Sequence, residues 1–153
     1  MKGQTAVEYL MTYGWAILII LIVAGVLAYY GIFAPAGFLG PTARGFGQVQ
    51  VLNPWSITAS TGNMVLAVGN RVSGSISFTN VTYTTDSGQT VVATGALTGN
   101  TSLTAGSNGV ISIPGTAITG KVAGDPYTAD LVIYYTYEGQ TFSSAGTISG
   151  TYS

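Results

Sequence analysis

The sequence predicts an α+β protein, in which a long N-terminal hydrophobic α-helix precedes an all-β, immunoglobulin-like sandwich. Between Glu8 and Arg44 no residue is charged, and most of the segment from Tyr9 to Phe33 is Leu, Ile, Val, Ala, Tyr or Met. From Gln48 onward the composition changes to Thr, Ser, Gly and Val, and apolar residues alternate with polar ones in short runs. A long apolar run is typical of a membrane-length helix, and alternation is typical of half-buried strands.

The composition limits the classes of function. Of the 153 residues 6% are charged and the net charge is −1, so no basic patch indicates nucleic acid. The chain has neither Cys nor His. Their absence excludes thiolate chemistry, histidine acid–base catalysis and the commonest zinc sites. With 47% hydrophobic residues the chain is expected to fold, its surface covered by neighbouring subunits or by sugar.

The hydrophobic helix is assigned to residues 4–34. Because the residue before a proline avoids the α region, Pro35 is expected to end the helix near Phe33. From Thr5 to Phe33 such a helix would be roughly 43 Å long, against a hydrocarbon core of roughly 30 Å. The excess is accommodated by tilt, or the helix packs against copies of itself.

Residues 35–47 are rich in Gly and Pro and are predicted to be a hinge linker. Residues 48–153 are predicted to be the β-sandwich domain, with runs such as "MVLAVGN", "SISFTNVTYTT", "DLVIYYTYEG", "QTFSS" and "GTISGTY" separated by turns. "DSGQ" and "EGQ" are predicted to be hairpin turns. In the run that contains Tyr134, Tyr135 and Tyr137, alternation puts Tyr134 on the face opposite the other two.

The first 35 residues allow three interpretations. An ordinary secretory signal peptide could be cut after Ala36, since Ala34-x-Ala36 is a small-residue site, and the product would begin at Gly37. The apolar stretch, however, is longer than is usual for such a signal. A permanent single-pass anchor, carrying a β-domain that binds a ligand, explains the length and apolarity but not "GQTAVE". The third interpretation comes from a resemblance.

In "MKGQTAVEYLMTYGWAILIILIV" a short basic leader, residues 1–3, ends in Gly3. Gln4 follows, Glu8 is the fifth residue counted from Gln4, and a long uncharged segment comes next. This combination resembles the class III signal peptide of archaeal type IV pilins. Ala6 stands where the family often has Ser, and the leader is very short, but the Gly before the cut and the spaced Glu are kept. An archaellin, the subunit of the archaeal motility filament, and a minor pilin are the alternatives within the superfamily.

The resemblance implies how the chain is processed and assembled. A prepilin peptidase would cut between Gly3 and Gln4, and the remaining helix would stay in the membrane. An assembly ATPase and a membrane platform would then extract it into an extracellular homopolymer, with helices inside and β-domains outside. Adhesion is the role the resemblance implies, and it implies no cofactor and no metal.

The cut implied by the resemblance would give the Glu8 carboxylate a charged partner on a neighbouring subunit. Cleavage would create an α-amino group on Gln4, with an ordinary pKa of about 7.7–8.0. A carboxylate in a membrane helix costs about 2.5–3.5 kcal/mol on insertion scales, and an amine on the adjacent subunit would offset that cost. In the alternative, Glu8 is solvated at the interface or interacts with the first helical turn, where negative charge is favourable.

The outer domain offers two N-glycosylation sequons, at Asn80 and Asn100. Its acids, Asp86, Asp125, Asp130 and Glu138, fall mostly in turn-like sequence. A glycosidase carboxylate pair, or a calcium site from Asp125 and Asp130, is the alternative for these acids. No phosphate loop, nucleophile elbow or dinucleotide fingerprint is present in the sequence. The sequence therefore predicts a structural protein and not an enzyme.

Overall fold

The computed structural model describes residues 2–30, 40–93 and 96–153, which form one helix and ten strands. In chain order these are α1 Lys2–Tyr29, β1 Thr42–Arg44, β2 Val49–Ile57, β3 Met64–Asn70, β4 Ile76–Thr85, β5 Thr90–Val92, β6 Thr98–Gly99, β7 Ser102–Leu103, β8 Asn108–Ile113, β9 Pro126–Tyr137 and β10 Gln140–Thr151. The predicted fold class is confirmed: one long apolar helix precedes antiparallel sheets that share one hydrophobic core.

Helix α1 has 28 residues and covers the predicted helix from Gln4 to Tyr29. At about 1.5 Å per residue it is about 42 Å long, which exceeds the hydrocarbon core of about 30 Å. Its span Gly3–Tyr29 has a mean hydropathy of 2.4 in its most apolar stretch, none of which is buried. By length and composition α1 can cross a membrane. The predicted helix end near Phe33 falls in residues 31–39, outside the described residues.

The described strands form two antiparallel sheets. Sheet A has six strands in the order β1-β10-β9-β4-β5, with β7 also paired to β4, and sheet B has four in the order β2-β3-β8-β6. Successive side chains of a strand point to opposite faces. Each sheet therefore turns one row of side chains inward, and fully buried Leu66 and Ile111 of sheet B share the core with Leu131 and Ile133 of sheet A.

Both predicted hairpins are present. β4 pairs with β5 across "DSGQ", with Thr84 opposite Thr90. β9 pairs with β10 across a two-residue turn, with Tyr137 opposite Gln140. In that turn Glu138 has φ 49° and Gly139 has φ 77°. Positive φ at both central residues is the signature of the type I′ turn, whose twist matches that of the flanking strands.

The structure adds a strand inside the predicted 35–47 linker. β1 lies in this segment and pairs with the end of β10, with Thr42 opposite Ser149. "QTFSS" and "GTISGTY", which Ala145 separates in the sequence, belong to one strand in the structure, β10, which ends at Thr151. A Cβ on Gly146 would lie 2.4 Å from the Arg44 carbonyl oxygen. Gly146 is thus required by close approach of β1 rather than by a turn.

Asn70, at the end of β3, is the hub of one end of the sandwich. Its side chain is fully buried. Its Nδ2 lies 2.8 Å from the Gly74 carbonyl oxygen, 3.1 Å from that of Leu103 and 3.0 Å from that of Thr104. Its Oδ1 accepts a hydrogen bond from the Val72 backbone N–H at 2.8 Å. One side chain therefore satisfies backbone groups of two segments, and its bonds to the Leu103 carbonyl oxygen and the Val72 N–H are buried.

Three buried tyrosines, Tyr83, Tyr127 and Tyr152, lie toward the other end of the sandwich. The Tyr83 hydroxyl donates a 2.6 Å hydrogen bond to the Gly62 carbonyl oxygen. Burial raises the pKa of Tyr83 above its ordinary value, and raises the pKa of Tyr127 and of Tyr152 to about 12. The charged form of a buried phenol is disfavoured because it loses its hydration.

This burial predicts alkaline unfolding. An unfolded tyrosine loses its proton near pH 10, whereas Tyr127 and Tyr152 in the fold keep theirs until about pH 12. The unfolded state therefore binds fewer protons in this window, and the free energy of unfolding falls as pH rises from 10 toward 12. Denaturant unfolding of the detergent-solubilised chain at a series of pH values measures the slope. Tyr83→Phe should reduce the slope, and an equal slope in that variant would contradict the assignment.

Candidate functional site

The surface of α1 is apolar on every side. Large hydrophobic residues are exposed around its whole circumference, for example Leu10, Trp15, Ile20 and Leu21 at 64–69%. No residue of the described span Gly3–Tyr29 other than Glu8 carries a charge. A helix that is hydrophobic all round is stable only in a membrane or inside a larger assembly. The surface of α1 is therefore the first functional feature of the chain.

At the start of α1, Gly3, Gln4, Val7 and Glu8 line one open depression. Gln4 and Glu8 are four residues apart, so they lie on the same face of the helix, about 6 Å apart along its axis. The Thr12 hydroxyl donates a 2.9 Å hydrogen bond to the Glu8 carbonyl oxygen. This back-bond was not predicted from the sequence, although the four-residue spacing allows it. The structure thus brings together the three residues that the sequence singled out.

The Glu8 carboxylate is exposed, and among the side chains that the structure describes it has no ion-pair partner. The ion pair present among those side chains is Lys121–Asp86, at 3.7 Å on the β-domain. A carboxylate can remain charged at the edge of an apolar helix when water or a cation reaches it. In a dry assembly it would need a cation from another chain.

Small residues make notches in α1. Met11, Gly14, Trp15 and Leu18 line a concavity of about 240 Å³. A Cβ on Gly14 or on Gly25 would meet no atom within 4 Å. These two glycines lie about three turns apart and therefore on the same side of the helix. They leave room for the close approach of another helix, as small residues do in membrane helix pairs.

Aromatic side chains lie near both ends of α1. Tyr9 and Tyr13 have ring centroids 4.3 Å apart, and Tyr29 and Tyr30 have centroids 5.6 Å apart in an edge-to-face arrangement. Their positions fit the predicted aromatic belts at two membrane interfaces. On the β-domain, Tyr135 is buried and Tyr134 is half-buried on the opposite face of β9, as the alternation predicted.

Asn80 reaches the surface because of a bulge in β4. The pairing register with β9 shifts between Phe78 and Asn80, which places both Thr79 and Asn80 on the outer side of sheet A. The Asn80 Oδ1 accepts a hydrogen bond from the Val81 backbone N–H at 2.8 Å. A bulge re-aims a side chain in this way. Asn80 is therefore half-buried and reachable, although it lies within a strand.

Asn100 follows β6 and is exposed. Its Oδ1 accepts a hydrogen bond from the Val110 backbone N–H at 3.1 Å. A Cβ on Gly109 would lie 2.6 Å from the Asn100 Cβ, so the two residues are closely packed. Asn100 thus lies against the edge of sheet B, whereas Asn80 lies on sheet A.

The acids of the β-domain are dispersed. Asp125 Oδ2 accepts a hydrogen bond from the Val122 N–H at 3.0 Å, and Asp130 Oδ1 accepts one from the Thr147 hydroxyl at 2.8 Å. Glu138 is in the β9–β10 turn. Within residues 2–30, 40–93 and 96–153 no group of three or more acidic, histidine or cysteine side chains is placed to hold a metal ion.

Comparison with known proteins does not assign the chain to a family. No family model matches it, and no curated protein matches it. Among solved structures it is similar to the PapD-like domain 7 of human CEP192, with a TM-score of 0.32 and 14% identity over 73% of this chain and 89% of that one.

Two further solved structures show a similar degree of likeness. A putative late embryogenesis abundant protein has a TM-score of 0.34 and 16% identity over 89% of this chain and 86% of that one. The archaeal flagellum of Methanospirillum hungatei has a TM-score of 0.34 and 15% identity over 91% of this chain and 98% of that one. TM-scores this low do not establish a shared fold. The function must therefore be argued from the chain itself.

Proposed function

We propose that this chain is the structural subunit of an archaeal type IV pilus-like surface filament that polymerises through α1 and serves adhesion. The observation that carries the proposal is the charge-free surface of α1 with Glu8 one turn after Gln4. A membrane anchor needs the apolar surface but gains nothing from a carboxylate at its edge. A helix that leaves the membrane to form a polymer needs the apolar surface and the carboxylate. The apolar surface packs against neighbouring helices, and the carboxylate sets the position of the helix relative to them.

Processing begins the pathway. The leader Met1–Gly3 is removed by a prepilin peptidase that cuts between Gly3 and Gln4. Gly3 has no side chain, and nothing lies within 4 Å of the position where a Cβ would stand. The cut leaves Gln4 as the new amino terminus, one turn from Glu8.

Assembly then pairs the Gln4 amine of one subunit with the Glu8 carboxylate of its neighbour. Removing one partner from such a buried pair costs about 3–5 kcal/mol, because the other charge is left uncompensated. Each subunit supplies one donor and one acceptor at different heights. A head-to-tail contact of this kind does not close on itself and builds a helical filament.

The rest of the α1 surface makes the contacts that hold neighbouring subunits together. Gly14 and Gly25 admit a neighbouring helix, and the large aliphatic residues fill the space around it. An assembly ATPase and a membrane platform would extract the subunit, because transfer of α1 from lipid requires work. The β-domain remains outside as a structural and adhesive surface, with no catalytic role. Asn80 and Asn100 are proposed as its glycosylation sites.

Amino-terminal sequencing and sedimentation of material from cells test this proposal. A filament subunit should begin at Gln4 and sediment as long polymers. An anchored binding module should be released by detergent as monomers that begin at Met1, and a chain cut by ordinary signal peptidase should begin at Gly37. Either of the latter results would contradict the proposal. An archaellin would also begin at Gln4, and loss of swimming rather than of attachment after gene deletion would identify it.

Gly3→Leu tests the processing step, with Gly25→Leu as its matched control. A bulky residue before the cut should stop cleavage, so that the precursor accumulates in the membrane and polymers disappear. Gly25→Leu adds the same bulk elsewhere in α1 and should be processed normally. A normally shortened Gly3→Leu chain would contradict cleavage at this bond.

A further inference from the structure

The strands of the two sheets differ in charge. The strands of sheet B, β2, β3, β6 and β8, contain no charged residue. The strands of sheet A contain Arg44 and Asp130, and Glu138 lies in their hairpin turn. Charged side chains are usually exposed to water, so sheet A is better suited to face solvent than sheet B.

The outer side of sheet B has an apolar centre. Leu52 lies opposite Ala67, and Ala67 lies opposite Val110 on the next strand. Val65 is the outward residue two positions before Ala67. Val65 is 40% exposed and Val110 is 46% exposed. We call Leu52, Val65, Ala67 and Val110 the apolar face. Arg71 borders this face at Leu52: a Cβ on Gly69 would lie 3.3 Å from the Leu52 Cδ1 and 3.4 Å from the Arg71 Cζ. The Arg71 Nε donates a 3.3 Å hydrogen bond to the Gln50 Oε1.

A concavity adjoins the apolar face. It measures about 340 Å³ and is lined by residues that include Val65, Thr98, Ser112 and Pro114. These residues are uncharged. A branched or aromatic side chain from outside can enter it, and α1 displays such side chains along its length.

The outer side of sheet A is lined mainly with hydroxyls. Thr42 and Ser149 hydroxyls lie 2.7 Å apart, and those of Thr84 and Thr90 lie 3.0 Å apart. Thr128 is exposed on the same side. We call the outward Ser and Thr residues of sheet A the hydroxyl face. It carries the half-buried Asn80 as well. Hydroxyls, Asp130 and Arg44 are solvated at low cost, which suits this face to water.

We infer that the apolar face of sheet B packs against the α1 helices of neighbouring copies, so that the sandwich turns sheet B inward and sheet A outward. This inference rests on the proposed filament. The four residues of the apolar face are uncharged, as is α1 after Glu8, and in the single chain the most apolar stretch of α1 and the valines of the face are both uncovered. Because a polymer brings copies of both surfaces together, each can cover the other, with Arg71 kept in water at the border of the face.

Single cysteines test the inference, since the natural chain has none. Val110→Cys and Val65→Cys report on the apolar face, and Thr128→Cys and Ser143→Cys are matched exposed positions on the hydroxyl face. Each variant is expressed as the full chain, and the rate of labelling by a polyethylene-glycol maleimide is measured in polymers and in detergent-dissociated subunits. Assembly should slow labelling at the apolar face by about tenfold or more and leave the hydroxyl face nearly unchanged, because thiol reactivity requires access.

The outcomes are distinguishable. If the unsubstituted chain forms no polymer, the proposed function fails and this inference fails with it. If polymers form but Val110→Cys and Val65→Cys label as fast in them as in free subunits, the inference alone is overturned. Protection in membranes before assembly, equal to that in polymers, would assign the face to lipid and also overturn it. Should Val110→Cys prevent polymer formation while Thr128→Cys does not, and Val65→Cys is protected, the inference stands.

Discussion

Replacing Glu8 with glutamine is expected to reduce the amount of polymer by about 100-fold or more, because loss of one partner from a buried charge pair costs about 3–5 kcal/mol and each 1.4 kcal/mol is tenfold. Glutamine keeps the size and polarity of the side chain and removes only the charge. The proposed partner, the Gln4 amine of the adjacent subunit, would then be buried without a counter-charge. Membrane insertion should be unchanged or slightly easier, since a neutral residue enters lipid at lower cost.

The measurement is the ratio of sedimented polymer to membrane-bound subunit, in cells that produce equal amounts of chain. Glu138→Gln is the matched control, because Glu138 lies in the β9–β10 turn, far along the chain from α1. It should assemble at the level of the natural chain. If Glu8→Gln formed polymer at natural levels, the proposed pairing with the Gln4 amine would be refuted. The remaining role for Glu8 would be its favourable interaction with the N-terminus of its own helix.

Replacing Asn70 with alanine is expected to lower the free energy of unfolding of the β-domain by about 3–5 kcal/mol, since each buried group left without a partner costs about 1–3 kcal/mol. Alanine cannot reach the carbonyl oxygens of Gly74, Leu103 and Thr104 or the N–H of Val72. This loss is a large share of the 5–15 kcal/mol by which an ordinary domain is stable.

Denaturant unfolding of the detergent-solubilised chain, followed by tyrosine and tryptophan signals, gives the value. Asn63→Ala is the matched control, because Asn63 is exposed and its Oδ1 accepts one hydrogen bond, from the Gly115 N–H at 3.0 Å. That variant should lose about 1 kcal/mol or less. Equal losses in the two variants would show that the hub formed by Asn70 contributes no more than a surface contact.

The sequence predicted what depends on neighbours along the chain. The helix follows from an apolar run whose hydrogen bonds are all local, so no distant residue decides it. The β9–β10 turn follows in the same way from "EGQ", because Gly139 readily adopts the positive φ that a two-residue hairpin requires. Gly3, Gln4 and Glu8 were singled out by the resemblance to a class III signal peptide, and Gln4 and Glu8 share a face because residues i and i+4 do so in every α-helix.

The sequence did not predict features that depend on pairing across long separations. β1 is three residues long and has no periodic signal, and it exists because the edge of β10, more than a hundred residues later, accepts it. The sequence predicted a turn between "QTFSS" and "GTISGTY", whereas in the structure the strand continues and Gly146 packs against Arg44 and Phe46. Asn70 looks like any turn asparagine, and its burial depends on two segments that close over it.

Sequence alone thus determined that this chain has a membrane-length apolar helix with one spaced carboxylate, followed by a β-sandwich, since those features rest on local hydrogen bonding and periodicity. Only the tertiary structure decided which strands share a sheet, and therefore that the uncharged strands β2, β3, β6 and β8 are gathered on one side and Asp130 and Asn80 on the other. The physical reason is that strand alternation separates inside from outside within each strand but carries no information about which distant strand will supply its hydrogen bonds.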